Sequence, residues 1–148
     1  MMSVKENKEM YEQVIDGLNA SKGDAAKIRS TLEKHCAPGF TIHRGRQGDM
    51  NLDQAVQHYV EIWAAFPDFK LSIDNMVAEE DKVAIRATGQ GTHKGTYMGI
   101  PATGKQVKTT AMQINKIVWG KSVEIWELVD GLGMMIQLGV IPDPASKK

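Results

Sequence analysis

The sequence predicts an α+β fold, because the spacing of its apolar residues changes from a helical period to an alternating one. In the first 66 residues, three segments repeat apolar residues every three or four positions, which is typical of amphipathic helices. From residue 69 onward, apolar and polar residues alternate, which is typical of antiparallel strands with one buried face. This order predicts three N-terminal helices packed against a mostly antiparallel sheet.

Capping residues and prolines mark the limits of the three helices. Ser3 and Glu6 stand three positions apart, as in a capping box, at the start of the first helix. The second helix follows Gly23-Asp24 and ends at Pro38-Gly39. The third helix runs from about Leu52 to Phe66, where the following proline stops it.

The predicted strands cover residues 40–44, 69–74, 83–90, 105–118 and 121–130, with a glycine-rich loop over residues 91–104. Trp119-Gly120 fits a two-residue turn that would make the last two strands a hairpin. In that register, the opposed pairs are Asn115 with Glu124, Gln113 with Trp126, Ala111 with Leu128, and Thr109 with Asp130.

The two faces of this hairpin differ in composition. One face mixes aromatic bulk with a few polar groups, which is typical of a ligand pocket; it carries Gln113, Asn115, Trp126 and Asp130. The other face is more apolar and predicts the contact surface of a homodimer. Its residues are Met112, Ile114, Val123, Ile125 and Val129. A slip of one residue in the register would exchange the two faces of a strand.

Composition limits the classes of protein to which the chain can belong. Of 148 residues, 42% are hydrophobic and 24% charged, which predicts one globular domain over residues 1–148, with a frayed tail after about Pro142. Eighteen basic and eighteen acidic residues balance, which argues against a nucleic-acid partner. A single cysteine, Cys36, excludes an internal disulfide, and no apolar window is long enough for a membrane span. We therefore expect a soluble, cytoplasmic protein without a membrane partner.

Several short blocks follow one another in a definite order along the chain. They are Ala65–Leu71, Gly91–Gly95, Gly99–Gly104, Trp126, Asp130 and Gln137–Gly139. Each block is weak alone, but the ordered set resembles the SnoaL-like polyketide (ester) cyclase family over about residues 5–140. The resemblance implies a cone of the nuclear-transport-factor-2-like superfamily, in which a curved sheet wraps helices around a deep cavity. It also implies dimers or higher oligomers that associate through the sheet.

The resemblance further implies an intramolecular aldol condensation of a hydrophobic, carbonyl-bearing small molecule, without metal or cofactor. The family's acid/base aspartate, on the last strand, matches Asp130. A histidine that some members carry two residues earlier is replaced here by Leu128, so the chain departs from the cyclase pattern. Proton abstraction next to a carbonyl requires a carboxylate in apolar surroundings, which Trp126 and Leu128 would supply. Alternatively, Asp130 caps a helical turn over residues 131–138.

Other candidate residues come from neighbouring segments. His43 could donate a hydrogen bond to an enolate oxygen, or could be a rim histidine bound to the backbone. Gln113 could orient a substrate carbonyl, or could be a structural amide of the kind common inside sheets. Tyr59 and Trp63 could form aromatic walls with Trp126, although aromatic residues at helical spacing are also typical of a core.

Three functional hypotheses remain open from the sequence. The first is the cyclase, with Asp130 as general base and acid. The second is another isomerase, dehydratase or hydrolase on the same fold; epoxide hydrolysis would need an arginine between two aspartates, for which Arg86 is the candidate. The third is a non-catalytic binding or scaffolding domain. We expect no cofactor, and the four histidines lack the spacing of metal ligands.

Overall fold

The computed structural model describes residues 2–146 as four α-helices and a six-stranded sheet. Met1 and residues 147–148, the end of the predicted frayed tail, lie outside the described residues. The helices are α1 (Val4–Ser21), α2 (Ala25–His35), α3 (Leu52–Ala65) and α4 (Gly131–Gln137). The strands are β1 (Cys36–His43), β2 (Asp49–Met50), β3 (Lys70–Glu79), β4 (Lys82–Thr92), β5 (Gln106–Val118) and β6 (Lys121–Val129). Short 3-10 turns cover Gly45–Gln47 and Pro144–Ser146.

The sheet is a curved, unclosed layer with the strand order β2-β1-β6-β5-β4-β3. All its neighbours are antiparallel except β1 and β6, which run parallel. The three N-terminal helices pack on its inner face, around a core that includes Leu18, Ile28, Phe40 and Val83. The predicted α+β class is confirmed, and α4 is an additional helix after the last strand.

Side-chain caps fix the helix starts. Ser3 and Glu6 form the predicted capping box of α1, and Asp24 caps α2 by accepting a hydrogen bond from the Lys27 amide. A second capping box, formed by Asn51 with Gln54 at the start of α3, was not predicted. Each such cap stabilises its helix by roughly 1 kcal/mol.

Strand β1 begins four residues earlier than predicted, at Cys36 instead of residue 40. Pro38 and Gly39 indicated the end of a helix, yet both lie within the strand. The short strand β2 pairs only with Ile42 and His43. The stretch around Pro38 is therefore a sheet edge, where the missing proline N–H costs no ladder hydrogen bond.

The hairpin between β5 and β6 contains a β-bulge that the sequence did not reveal. The Trp119-Gly120 turn is confirmed, with φ of 52° and 74°, and Val118 pairs with Lys121 as predicted. Val123 then stands opposite no residue, and the register shifts by one, so that Gln113 pairs with Glu127 instead of Trp126.

This shift exchanges the two faces of β6. Ile125 is buried in the core and Glu127 faces the interior, whereas Trp126 and Leu128 are exposed on the outer face. The predicted faces are therefore wrong for β6 and correct for β5, where Met112 and Ile114 are exposed. Val129 also belongs to the interior side, because it pairs with Ala111 and lines the same cavity.

Helix α4 and the loop before β5 close one end of the interior. Leu138 is buried with Phe66 and Val107, and Met134 and Tyr97 pack against this cluster. The space between this cluster and α1 is not completely filled and forms the site described below. Within residues 2–146, no helix is both long and apolar enough to cross a membrane.

Candidate functional site

An interior cavity of about 110 Å³ lies between the helices and the inner face of the sheet. Its walls are mainly apolar and aromatic, and they come from α1, α3, β4, β5, β6 and α4. Two glycines on β4 make room for phenylalanine side chains: a Cβ on Gly89 would lie 2.7 Å from the ring of Phe69, and a Cβ on Gly91 would lie 2.9 Å from the Cβ of Phe66. The polar side chains lining the cavity are Tyr11, Arg44, His58, Tyr59, Tyr97, Thr109, Gln113 and Glu127.

A hydrogen-bonded network joins four of these polar side chains. The carboxylate of Glu127 accepts from Gln113 Nε2 at 2.6 Å and from Arg44 Nε at 3.2 Å. The Tyr11 hydroxyl in turn donates to Gln113 Oε1. The Arg44 and Glu127 side chains are only 15% and 12% exposed, so their pairing offsets the cost of removing both charges from water.

The network brings together residues from distant parts of the sequence. Tyr11 lies on α1, and Arg44 directly follows β1. Gln113 and Glu127 are directly opposed on β5 and β6, with both side chains toward the interior. This opposition exists because of the bulge at Val123, which turns Glu127 inward.

His58 supplies an imidazole that is neutral at pH 7. Burial on α3 lowers its pKa to about 4, and the positive charge of Arg44 adds to this effect. His58 was not among the residues predicted for the site. The four-residue spacing of His58, Ile62 and Phe66 was a signal in the sequence, because it places the three side chains on one helical face. In the structure, all three line the cavity.

The tyrosines of the cavity are neutral hydrogen-bond donors. Burial is the main cause that raises the pKa of Tyr11 well above its ordinary value. Burial also raises the pKa of Tyr59 strongly, and the negative charge of Glu127 adds to the shift. Of the predicted aromatic walls, Tyr59 lines the cavity, whereas Trp63 is 4% exposed within the hydrophobic core.

Asp130 lies at the N-terminus of α4 and is not among the residues that line the cavity. Its carboxylate accepts a hydrogen bond of 2.9 Å from the Gly133 amide, and its own amide donates to the carbonyl of Thr110. The helix-capping interpretation of Asp130 is therefore confirmed. The carboxylate that faces the cavity belongs to Glu127, three residues earlier.

His43 lies on the outer side of the sheet. Its Nδ1 is 3.0 Å from Asp49 and its Nε2 is 2.7 Å from Glu124, while its ring stacks on Trp126 at 5.5 Å. The hydrogen bond to Glu124, followed by that to Asp49, raises the pKa of His43 above its ordinary value. His43, Trp126 and Leu128 line an open outer groove of about 650 Å³. Gln113 and Glu127 border this groove as well as the interior cavity, whereas Arg44 borders only the cavity.

Two further residues with potentially reactive side chains, Cys36 and His93, have structural environments. Burial raises the pKa of the Cys36 thiol to about 12, which disfavours the reactive thiolate. His93 is fully buried, and its Nδ1 accepts a hydrogen bond from the Thr103 amide, so it holds the loop before β5. In the part of the chain that the structure describes, no cluster of His, Cys, Asp and Glu side chains could hold a metal ion.

A curved sheet that encloses an apolar cavity with a central carboxylate places the chain among the cone-shaped α+β proteins. Residues 8–138 match the model of the SnoaL-like polyketide cyclase family, and the chain therefore belongs to this family. No match was found among the curated proteins.

Solved structures support the same assignment. AclR from Streptomyces galilaeus, for which a hydroxylase activity has been suggested, is 29% identical with a TM-score of 0.82; the match covers 95% of this chain and 85% of AclR. IdmH, a proposed polyketide cyclase from Streptomyces antibioticus, is 25% identical with a TM-score of 0.76, over 90% of this chain and 98% of IdmH. A proposed SnoaL-like polyketide cyclase from Jannaschia shares the fold, with a TM-score of 0.79, at 20% identity over 96% of this chain and 98% of that protein.

The two histidines on opposite sides of the sheet should titrate in different pH ranges. We expect NMR signals of the His58 ring to remain those of the neutral form down to about pH 4, while His43 titrates above its ordinary value of 6.5. Unfolded chains bind a proton at His58 near pH 6.5 but the folded chain does not, so His58 reduces the unfolding free energy as the pH falls from 6.5 to 4. His43 has the opposite effect on the unfolding free energy. Its raised pKa stabilises the folded chain at low pH, and this stabilisation is lost as the pH rises through the raised pKa. Titration of His58 near pH 6.5 would contradict this description of the cavity.

Proposed function

We propose that the protein catalyses cofactor-independent acid/base chemistry, of the aldol ring-closure type, on a hydrophobic small molecule that carries a carbonyl group. The observation that carries this proposal is the position of Glu127, a carboxylate that faces the apolar interior cavity. Family membership supports the reaction class. In this proposal Glu127 takes the role that the sequence resemblance gave to Asp130.

The reaction begins with transfer of a proton from the carbon next to the substrate carbonyl to the Glu127 carboxylate. The resulting enolate carbon attacks a second carbonyl of the same molecule, and a carbon–carbon bond forms as the attacked oxygen becomes an alkoxide. Protonated Glu127 then returns the proton to this alkoxide, so the carboxylate is regenerated without an oxidant or reductant.

Neutral and cationic hydrogen-bond donors around Glu127 can stabilise the negative charge that develops on the enolate oxygen. Arg44 carries a positive charge at the cavity wall, and the hydroxyl of Tyr59 is held neutral by its raised pKa. Gln113 orients Glu127 from the opposite strand. A preorganised donor of this kind typically contributes about 10²–10³ in rate.

The size of the cavity restricts the substrate. Its volume of about 110 Å³ is below the roughly 300 Å³ at which ordinary ligand pockets begin. A compact ring system fits best, and a larger polycycle would require the closing cluster around Met134 and Tyr97 to move outward. Methionine side chains adapt readily to such changes.

The proton-abstraction step can be tested with 2-tetralone, whose α-protons exchange in D₂O and are followed by NMR. We expect the wild-type protein to accelerate the exchange. Glu127→Gln should lower the exchange rate at least about 100-fold, because a general base typically contributes about 10²–10⁴-fold in rate. Glu124→Gln, on the outer face of the same strand, and Asp130→Asn are the controls and should retain the activity.

Glu127→Gln leaves the Arg44 charge without its partner, so circular dichroism and urea unfolding must show that the variant is folded. Glu127→Asp keeps the charge and should retain part of the activity. Loss of exchange in Asp130→Asn but not in Glu127→Gln would return the catalytic role to Asp130. No acceleration by the wild-type protein would favour the non-catalytic binding domain.

Hydroxylation is a second candidate, favoured by the similarity to AclR. Hydroxylation consumes dioxygen and a reductant, whereas aldol ring closure consumes neither. With a true substrate in hand, turnover that continues under anaerobic conditions is the result expected for the cyclase, and turnover that stops without oxygen would establish the hydroxylase instead. The epoxide-hydrolase hypothesis receives no support from Arg86, which faces outward and lies 3.6 Å from Asp74.

We further propose that the protein is a homodimer that associates through the outer face of the sheet. The corrected register moves Ile125 and Val129 from this face to the interior, but it places the larger Trp126 and Leu128 beside Met112 and Ile114. Met112, Ile114, Trp126 and Leu128 are between 40% and 70% exposed, and they line one continuous groove. Exposed apolar patches of this kind are typical of protein interfaces.

A charge placed in this groove should separate the subunits. We expect sedimentation equilibrium to give a dimer for the wild-type protein and a monomer for Ile114→Lys, because a lysine at the centre of an apolar interface would be buried without a partner. Met98→Lys, at an exposed methionine of the loop before β5, is the matched control and should remain dimeric. A wild-type monomer, or a dimer that tolerates Ile114→Lys, would contradict the proposed interface.

A further inference from the structure

The cavity contains a buried hydroxyl that has no hydrogen-bond partner among the described residues. Thr109 on β5 is 8% exposed, its side chain lines the cavity, and its Oγ1 is unpartnered. Burying a hydroxyl without a partner costs free energy. In a cavity, such a hydroxyl is satisfied by a bound water or by a ligand oxygen that replaces this water.

The surroundings of Thr109 provide no structural reason. Its interior-face neighbours along the strand are Val107 and Ala111, and its partner on β4 is Gly89. Valine has the same shape as threonine and would fit this apolar wall without burying a polar atom. The neighbouring Val107 shows that this strand accepts valine on its inner face.

Thr109 provides a second hydrogen-bonding position in the cavity, at a distance from Glu127. Thr109 precedes Gln113 by four residues on the same face of β5, and Gln113 binds Glu127 directly. Four residues of strand span roughly 13 Å. A hydrogen bond of about 2.8 Å at each end shortens this span. A ligand that lies along β5 would therefore have two oxygens roughly 8 Å apart.

From this geometry we propose that Thr109 is a specificity-determining residue, which hydrogen-bonds a second oxygen of the ligand at the end opposite Glu127. The inference rests on the proposed function, since it assumes that the cavity binds the ligand. It narrows the ligand class to compact, largely planar ring compounds with a carbonyl or hydroxyl at each end. Apolar rings fit the space between, where the paired Ala87 and Ala111 form part of the wall.

Two related probes test this proposal by isothermal titration calorimetry. 2,6-Dihydroxynaphthalene has an oxygen at each end of a rigid bicycle, whereas 2-naphthol has only one. We expect the wild-type protein to bind the diol about tenfold more tightly than 2-naphthol, as one additional hydrogen bond would give. Thr109→Val should abolish this preference and leave binding of 2-naphthol unchanged, whereas Thr109→Ser should retain the preference.

Thr110→Val is the matched control, because Thr110 is the exposed neighbour on the opposite face of the strand. It should leave the preference intact. Thermal unfolding should show Thr109→Val to be at least as stable as the wild-type protein, which separates a ligand role from a structural one. A shift of the Thr109 methyl signal on addition of the diol would place the probe in the cavity and not in the outer groove.

The possible failures are distinguishable. If both probes bind in the cavity with equal affinity and Thr109→Val changes nothing, the role of Thr109 is refuted while the proposed ligand site stands. If neither probe perturbs the cavity, the compact ring compounds are not its ligands and both proposals fail. A clear loss of stability in Thr109→Val would show that the hydroxyl is structural and would also overturn the inference.

Discussion

The β-bulge at Val123 fixes which side of the sheet each later residue of β6 faces. Because side chains alternate along a strand, one unpaired residue is enough to send Glu127 inward and Trp126 outward. Without the bulge, the interior would receive an indole and the carboxylate would lie on the outer face. The chemistry of the cavity and the apolar character of the outer face both depend on this single residue.

The inward carboxylate then requires partners, since a charge in an apolar cavity is costly unless it is paired. Arg44 supplies the opposite charge, and Gln113 satisfies the second carboxylate oxygen while binding Tyr11. The network therefore connects α1, the segment after β1 and the β5–β6 hairpin at the centre of the cone. Correct positioning of the proposed acid/base group and stability of the interior are coupled in this arrangement.

The two faces of the sheet carry different kinds of residues. The inner face carries the polar network, neutral His58 and the unpartnered Thr109 hydroxyl within an otherwise apolar wall. The outer face carries His43 between Asp49 and Glu124, and beside it an apolar groove. Membership of the SnoaL-like polyketide cyclase family explains the cone. The residues that occupy each face, more than the fold itself, distinguish one activity from another.

Local features of the sequence determined the fold class and most element limits. The capping box of Ser3, the helical spacing behind it and the Trp119-Gly120 turn depend on residues close in sequence, so each could be predicted. The pairing of Gln113 with Glu127 could not, because a bulge results from the fit of a whole strand against its neighbours. His58 and Arg44 acquire their environment only when α3 and the segment after β1 pack over the sheet. The sequence by itself thus determined the architecture, whereas the tertiary structure decided which carboxylate faces the cavity, because burial and charge pairing are properties of the packed molecule.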